Sequence, residues 1–458
     1  MKRVVVGEHA RLMRGASSVP AADGTAVVDA RLYDRLRRFD REGRPDGDHV
    51  FDWRDGFART TQWVGVVQVP GLQVEILPKV DAVDPSAEWG ADAQYTARTN
   101  LLYMLAVGGD VPVRSRDVAR LATRKAPLSE TLAGIFADRL RQELLRGPER
   151  GYQHREENLR AFKGKLLIAD QSQANAAHRE RFFCRFDEFS DDTPMNRIFK
   201  AACRVLHAVT WTPATQDVLR QCLLLLEGAS DMEVQDSDFG AITINRQNQR
   251  FEDVLRFCRL ILAGRTPTVE AGATRSFSLL FDMNKVFERF VAALFCRQVA
   301  PRIDGIRVYP QAARHRRHLM ECAGAGVLRL EPDILIERAE RRLIMDTKWK
   351  LLAPGKRGRG GVADGDLYQL YAYARRYGSP QSVLLYPHVP GLDARDFDVL
   401  DATNAQSGER IAIRHVHLHR NLYAEGEREK LIDELEAIVR EGLGLAATDV
   451  AQGYGDAA

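Results

Sequence analysis

The stretch LEPDILIERAERRLIMDTKWK, residues 330–350, decides how the chain reads. Two apolar β-type runs flank a charged turn; an Asp stands near the start of one, and Asp-x-Lys ends the other. With Glu337 and Arg342 closing a turn around 338–341, antiparallel pairing sets Asp333 directly opposite Asp346 on the same face. Side chains alternate along a strand, so Lys348 joins that face two residues further on. Two carboxylates and one ammonium then converge. Like charges this close repel, and a divalent cation between them relieves the repulsion. Mg²⁺ prefers a few carboxylate oxygens together with water and phosphate oxygens, which two Asp residues on a strand edge can supply. The opposing reading is a solvated hairpin edge, because acid-x-Lys triplets are common by chance. Against it, Lys348 is the only lysine of the chain with an acidic residue two positions earlier. Glu331 falls on the face of Asp333 as a supporting acid rather than a ligand. The register is sensitive: a slip of one residue would send Asp333 to the other face.

The flanking segments extend the pattern. FDMNKVFERFVAALFCRQV (281–299) puts Met283, Phe287, Phe290, Val291 and Leu294 on one helical stripe. Glu288 lies beside that stripe, either as a third acid for the metal or as a solvated helix residue. Strands are predicted at 305–311, 327–336 and 342–350, followed by the loop GKRGRGG (355–361), the helix DLYQLYAYARRYG (366–378) and the strand SVLLYP (382–387). In that helix Gln369 and Tyr373 are four apart and share a face, from which they could brace the lysine or meet a DNA phosphate. Alternatively they form a half-buried polar edge, with Leu367, Leu370, Tyr371 and Ala374 on the core side. An amphipathic helix at 427–442 ends the pattern, and the small-residue tail from 446 is expected to be disordered. Helix, strands, helix, strand make an α/β unit with a mixed sheet.

A chain of 458 residues is long for one core, so two or three domains are expected. Residues 1–95 read as a strand-rich N-terminal domain, with VGVVQVPGLQVEILPKV (64–80) forming two runs around Pro70-Gly71. One helix, 29–42, interrupts it, with Leu32, Leu36 and Phe39 on one face and Asp29 as N-cap. Residues 96–265 read as a mainly helical middle domain, including 131–147 and 195–210, and residues 266–445 as the mixed-sheet domain. The fold class is therefore multidomain α/β.

A net charge of +3 makes the chain no polycation, so a nucleic-acid surface must come from local clusters. RHRRH (314–318) and KRGRG (356–360) flank the hairpin, and Arg314, Arg316, Arg317, Lys356, Arg357 and Arg359 are candidates for DNA-backbone contact, or else solvated loop residues. The six cysteines lack zinc spacing and are expected to be buried thiols. MKRVVVGEHARLM lacks the apolar core of a signal peptide, and no apolar run reaches membrane-spanning length, so a cytoplasmic location without membrane contact is expected. There is no Walker A pattern, no HExxH and no nucleophile elbow, which excludes three common kinds of catalytic chain.

Pro332-Asp333 with Asp346-Thr347-Lys348 resembles the PD-(D/E)xK nuclease motif, and Gln369-x-x-x-Tyr373 resembles the companion motif of its RecB-like branch. GLQVEILPKV (71–80), GYQHREENLRAFKGKLLI (151–168), CRFDEFSDDTPMNRIFKAA (184–202), LLFDMNKVFERFV (279–291) and DLYQLYAYARRYG look like the successive signature blocks of the McrC family. Those proteins are nuclease subunits of McrBC modification-dependent restriction systems. The third block carries no chemistry of its own; it reads as a helix start, with Asp192 or Thr193 as N-cap and Pro194 in the first turn.

The resemblance implies a C-terminal PD-(D/E)xK (restriction-endonuclease-like) domain that cuts DNA with Mg²⁺. It also implies an N-terminal portion docked on a hexameric AAA+ GTPase, McrB. That partner binds GTP, recognises double-stranded DNA carrying modified cytosine, translocates it, and has its hydrolysis stimulated. Carried over by residue, Asp333, Asp346 and Lys348 take the catalytic positions, with Glu288, Gln369 and Tyr373 added; Asp333, Asp346 and Glu288 hold the metal. Two rival functions remain: a non-catalytic adapter that stimulates the GTPase, and a stand-alone repair nuclease of the RecB-like type.

Overall fold

In the computed structural model of the chain, the two runs of 330–350 pair antiparallel, with Glu337 opposite Arg342 and Ile334 opposite Met345. A two-residue turn joins them, and its first residue, Ala339, takes a left-handed φ of 49°. The pairing anticipated from the sequence is therefore the one formed. The structure describes residues 1–16, 19–20, 26–42, 49–78, 90–111, 126–263, 276–312, 315–322, 324–352, 361–388, 396–400 and 409–445.

Helix α1 (Met283–Leu294) precedes strands β1 (Ile306–Pro310), β2 (Ile334–Arg338) and β3 (Arg341–Thr347). After them come helix α2 (Asp364–Tyr377), strands β4 (Gln381–His388), β5 (Phe397–Leu400) and β6 (Arg410–His417), and helix α3 (Glu425–Gly442). The six strands form one mixed sheet in the order β1-β2-β3-β4-β6-β5. β3, β4 and β6 run parallel and the remaining neighbours antiparallel. A parallel pair needs a crossover, and α2 supplies it between β3 and β4. Ile334, Leu335, Ile336, Leu343, Ile344 and Met345 are all fully buried, as expected for strands covered on both faces. On one face Leu335, Ile344, Leu384 and Ile413 pack with Leu370, Tyr373 and Tyr377 of α2.

The helix rotates relative to the sequence expectation. Tyr371, placed on the core side, is 40 % exposed, whereas Tyr373 is buried, because the observed stripe runs through residues 370, 373, 374 and 377. The strand expected at 327–336 is two strands. Ala325–Leu330 pairs with Arg317–Cys322 in a separate hairpin, and the chain breaks before β2. The helix expected to reach 299 ends its α-form at Leu294 and finishes in a π turn.

Residues 1–128 with 280–458 form one compact unit and 129–279 another. The segment expected as N-terminal domain (1–95) thus shares a unit with the part of the expected mixed-sheet domain (266–445) that follows residue 279, and buried polar contacts join them. Trp349 Nε1 donates to both carboxylate oxygens of Glu8 at 3.1 and 2.8 Å, and Asn100 Nδ2 donates to the carbonyls of Leu418 and Arg420 at 3.1 and 2.9 Å. The expected hairpin forms from Trp63–Val69 and Leu72–Leu77. Gly71 turns it with a φ of +87°, and a Cβ there would meet Leu32 at 3.1 Å. Asp29 caps the helix Ala30–Glu42 through the amide of Arg31 at 3.0 Å. That helix buries Tyr33, Leu36 and Asp40, with Leu32 and Phe39 only half-buried. The Asp40 carboxylate turns inward to accept from Trp53 Nε1 at 2.7 Å.

The second unit carries the helices Pro194–Val209, Pro213–Leu225 and Glu252–Ala263. Thr193, not Asp192, is the N-cap of the first, accepting from the Asn196 amide, with Pro194 at the first position. Asp192 instead pairs with Arg197 and Ser230. A three-stranded antiparallel sheet, Gly151–Leu159, Lys165–Leu166 and Phe182–Ser190, lies in the stretch read as mainly helical. Four of the six cysteines are buried as expected; Cys296 is half-buried and Cys322, at the end of the outlying hairpin strand, is exposed. No helix among the described residues is long and apolar enough to cross a membrane. The tail from 446 lies outside the described residues.

Candidate active site

β3 delivers Asp346 to the sheet face that α2 covers, and the break before β2 leaves Asp333 beside it. The Asp333 carbonyl accepts from the Gln311 amide at 2.6 Å, and its Oδ2 accepts from both the amide and Oγ1 of Thr347, each at 2.7 Å. Thr347, the middle residue of Asp-Thr-Lys, therefore ties the two acidic positions together. Asp346 is 2 % exposed; its Oδ2 lies 2.6 Å from Lys348 Nζ in an ion pair and has no aligned hydrogen bond.

Burial, and then the charge of Glu288, pushes Asp333 up to about 6. Burial and the charge of Asp333 push Asp346 up to about 7. Burial opposes the Lys348 ammonium, but Asp346, Asp333 and Asp366 outweigh it and raise its pKa. The pair of acids is thus held in an environment that lacks positive charge, and Lys348 supplies only part of it.

Lys348 Nζ also donates to Gln369 Oε1 at 2.9 Å, and its amide continues the parallel ladder to Leu385 O at 2.9 Å. Gln369 Nε2 in turn donates to Tyr373 OH at 3.0 Å, whose hydroxyl reaches the Glu331 carbonyl at 3.4 Å. The four-residue spacing on α2 braces the lysine, as the sequence suggested. The Glu331 side chain pairs with Arg329 instead of joining Asp333.

Glu288, half-buried on α1, accepts from Gln311 Nε2 at 2.9 Å. Gln311 takes a left-handed φ of 51°, so one strained residue orders both Asp333, through its amide, and Glu288, through its side chain. Nothing in the sequence singled out Gln311; a polar residue just after a strand is too common a signal. Lys350 and Asp366, which pair at 2.8 Å with Tyr386 OH donating to Asp366 at 3.3 Å, were likewise missed.

Of the basic candidates, Arg316 is exposed. Arg317 donates to Arg376 O at 2.6 Å and lies over the Tyr377 ring, so it clamps the outlying hairpin to α2. Arg314, Lys356, Arg357 and Arg359 lie outside the described residues.

A mixed sheet with a crossover helix, and an acid-acid-lysine edge where the sheet meets it, define a mixed α/β protein with an acidic site. The chain matches the family described as "McrBC 5-methylcytosine restriction system component" over residues 58–387, and it belongs to that family. In fold it is similar to a chain in the refined half-complex from a tetradecameric assembly of Thermococcus gammatolerans McrB AAA+ hexamers with bound McrC. That match has a TM-score of 0.67 at 18 % identity, covering 95 % of this chain and 100 % of that one. A chain of the Thermococcus gammatolerans McrBC complex, determined by cryo-electron microscopy, matches with a TM-score of 0.50 at 20 % identity, covering 65 % and 88 %. No curated protein matches the chain.

Proposed function

We propose that this chain is the DNA-cutting subunit of a GTP-driven, McrBC-like restriction complex that destroys modified foreign DNA. It is a PD-(D/E)xK endodeoxyribonuclease, hydrolysing phosphodiesters of double-stranded DNA with Mg²⁺. Its partner is an McrB-like AAA+ hexamer, which binds GTP, recognises modified cytosine and is stimulated by this chain. Family membership and the likeness in fold to an McrC-bound McrB assembly support the partner. The observation that carries the chemistry is the juxtaposition of Asp333 and Asp346 with the Gln369-braced Lys348.

The donor set suits a hard divalent cation. Two carboxylates repel across a buried space, and Asp346 Oδ2 is a buried oxygen without an aligned donor. Among the described residues no three acid, imidazole or thiol groups are already gathered for a metal, so the protein would offer Asp333 and Asp346, with Glu288 as the assisting acid. Bound there, Mg²⁺ supplies charge neutralisation of the phosphodiester and a more acidic water.

The remaining work falls to the side chains. Lys348, held between Asp346 and Gln369, orients the attacking water and offsets negative charge that develops on the phosphoryl oxygens. The water oxygen bonds to phosphorus in line with the departing ester oxygen, which leaves as the P–O bond breaks. Thr347 keeps Asp333 turned toward the site through two hydrogen bonds. Arg316, which is exposed, would hold a DNA backbone without reading sequence.

Substituting Lys348→Ala in the reconstituted complex tests this reading. Cutting of methylated DNA is expected to be lost while complex formation and stimulated GTP hydrolysis persist. Cutting retained in this variant, with stimulation intact, would support a mere adapter. Degradation of DNA by the isolated chain with Mg²⁺ and no nucleotide would instead indicate a stand-alone nuclease.

A further inference from the structure

Just past Asp-Thr-Lys the chain passes from the sheet to another anchor. Lys348 N still donates to Leu385 O at 2.9 Å, but Lys350 N folds back on Lys348 O at 2.8 Å, so a three-residue turn centred on Trp349 ends the strand's course. The two lysines of that turn reach toward α2. Lys348 Nζ meets Gln369 Oε1 at 2.9 Å as well as Asp346 at 2.6 Å, and Lys350 Nζ meets both carboxylate oxygens of Asp366 at 3.0 and 2.8 Å. Trp349, between them, turns instead to Glu8 and to Phe287 of α1, whose ring centroid is 5.3 Å from its own. Phe287 immediately precedes Glu288, the assisting acid.

Glu8 is an unusual choice of anchor. A buried indole needs an acceptor for its N–H, which a backbone carbonyl or an amide oxygen supplies at little cost. A carboxyl group is costly to take out of water, yet the Glu8 side chain is fully buried. Both of its oxygens receive the one N–H, at 3.1 and 2.8 Å, so the indole is held from two sides. Glu8 is itself fixed at the backbone: it follows the strand Lys2–Gly7, and its amide donates to Leu77 O at 2.9 Å. A residue of the N-terminal sheet thus sets where the indole sits, and the indole sets where the side chains of Lys348 and Lys350 begin.

Taking Lys348 as the lysine of a nuclease site, as proposed above, we infer that Glu8 is a positioning residue for that site, acting through Trp349. The site is then incomplete without the first strand of the chain, although Asp333, Asp346 and Lys348 all lie more than 300 residues away in sequence. The acids are held by the sheet and by Thr347, so loosening Trp349 displaces the lysine relative to them and slows the chemical step.

The test uses the full chain reconstituted with its AAA+ partner, GTP, Mg²⁺ and methylated DNA, with Asp346→Ala as the reference for a dead site. Glu8→Ala, and Trp349→Phe, which keeps a ring against Phe287 and removes the N–H, should each lower the maximal cleavage rate about 10²-fold. The DNA concentration giving half-maximal rate and the stimulated GTP hydrolysis should stay unchanged. Two groups acting as one link are not additive, so the double variant should cut no more slowly than the slower single variant. Glu8→Gln keeps an oxygen that accepts from Nε1 and should recover at least about tenfold of the loss. Should Glu8→Ala fail to assemble with the partner, Glu8→Gln and Trp349→Phe carry the comparison, with Glu8→Gln expected to cut faster than Trp349→Phe. Parental cleavage by assembled Glu8→Ala or Trp349→Phe, with Asp346→Ala inactive, overturns the role of Glu8. So do losses that multiply in the double variant, or a parallel fall in GTP hydrolysis. Cleavage by Asp346→Ala at the parental rate overturns the nuclease site itself, a separate outcome.

Discussion

Gln369 accepts a hydrogen bond from Lys348 Nζ at 2.9 Å while donating to Tyr373 OH at 3.0 Å, so the lysine is held by a helix as well as by Asp346 of its own strand. Gln369→Ala leaves Lys348 paired with Asp346 but removes that second anchor. In the reconstituted complex the cleavage rate should fall about 10²-fold, the scale expected when a reacting group is misplaced by about an ångström. Because the amide acts through the lysine, kcat should drop with little change in the DNA concentration giving half-maximal rate. A fall confined to DNA affinity would place Gln369 on the phosphate instead.

The acidic pair also affects stability in a pH-dependent way. Asp346 is pushed up to about 7 by burial and by Asp333, against an ordinary value of about 3.9. Between those values the folded chain binds more protons than the unfolded one, so this group's contribution to stability is lost as pH rises through the window. Asp346→Asn keeps the shape and removes the charge. Its melting temperature should exceed the parent's at pH 8, by about 2–4 °C per kcal/mol relieved, and match it near pH 4. Mg²⁺ should raise the parent's melting temperature at pH 8 and leave the variant's unmoved. Differential scanning calorimetry reads both effects.

In the helical unit the sign is opposite. Asp192 accepts from Arg197 Nε and Nη2, both at 2.7 Å, and from the amide and hydroxyl of Ser230 at 2.6 and 2.8 Å. The Arg197 guanidinium, with Ser230, holds this carboxyl well below the usual carboxylate range. Its contribution is complete above about pH 4 and is lost as pH falls below that. Asp192→Asn should cost about 2–3 kcal/mol at pH 7 by urea denaturation, and less at pH 2.5, where part of the contribution is already lost.

The 330–350 hairpin was legible because its register rests on alternation and a two-residue turn, both local properties. Asp333, Asp346 and Lys348 came with it, and helical spacing supplied Gln369 and Tyr373. Contacts that depend on remote parts of the chain were not legible. Gln311 matters because the backbone folds back on itself there, and Glu8 reaches Trp349 across 341 residues. The histidines His415 and His417 look like ordinary strand residues until His388, Asp396 and Glu434 arrive from remote parts of the chain. The sheet at 151–190 was missed because Gly151–Leu159 has no buried residue along its length, so no apolar face marks it. Buried polar pairs, invisible to hydropathy, hold Glu8 and Asn100 to residues beyond 340, so the compact unit formed by 1–128 with 280–458 could not be read from the sequence.

The most direct measurement of the central claim is cleavage of methylated linear DNA by the complex of this chain with its AAA+ partner, with GTP and Mg²⁺, comparing parent and Asp346→Ala. Removing the most buried acid of the pair should abolish double-strand cleavage, by about 10³-fold or more, while GTP hydrolysis remains stimulated. Cleavage by Asp346→Ala at the parental rate would contradict the assignment of this hairpin as the nuclease site.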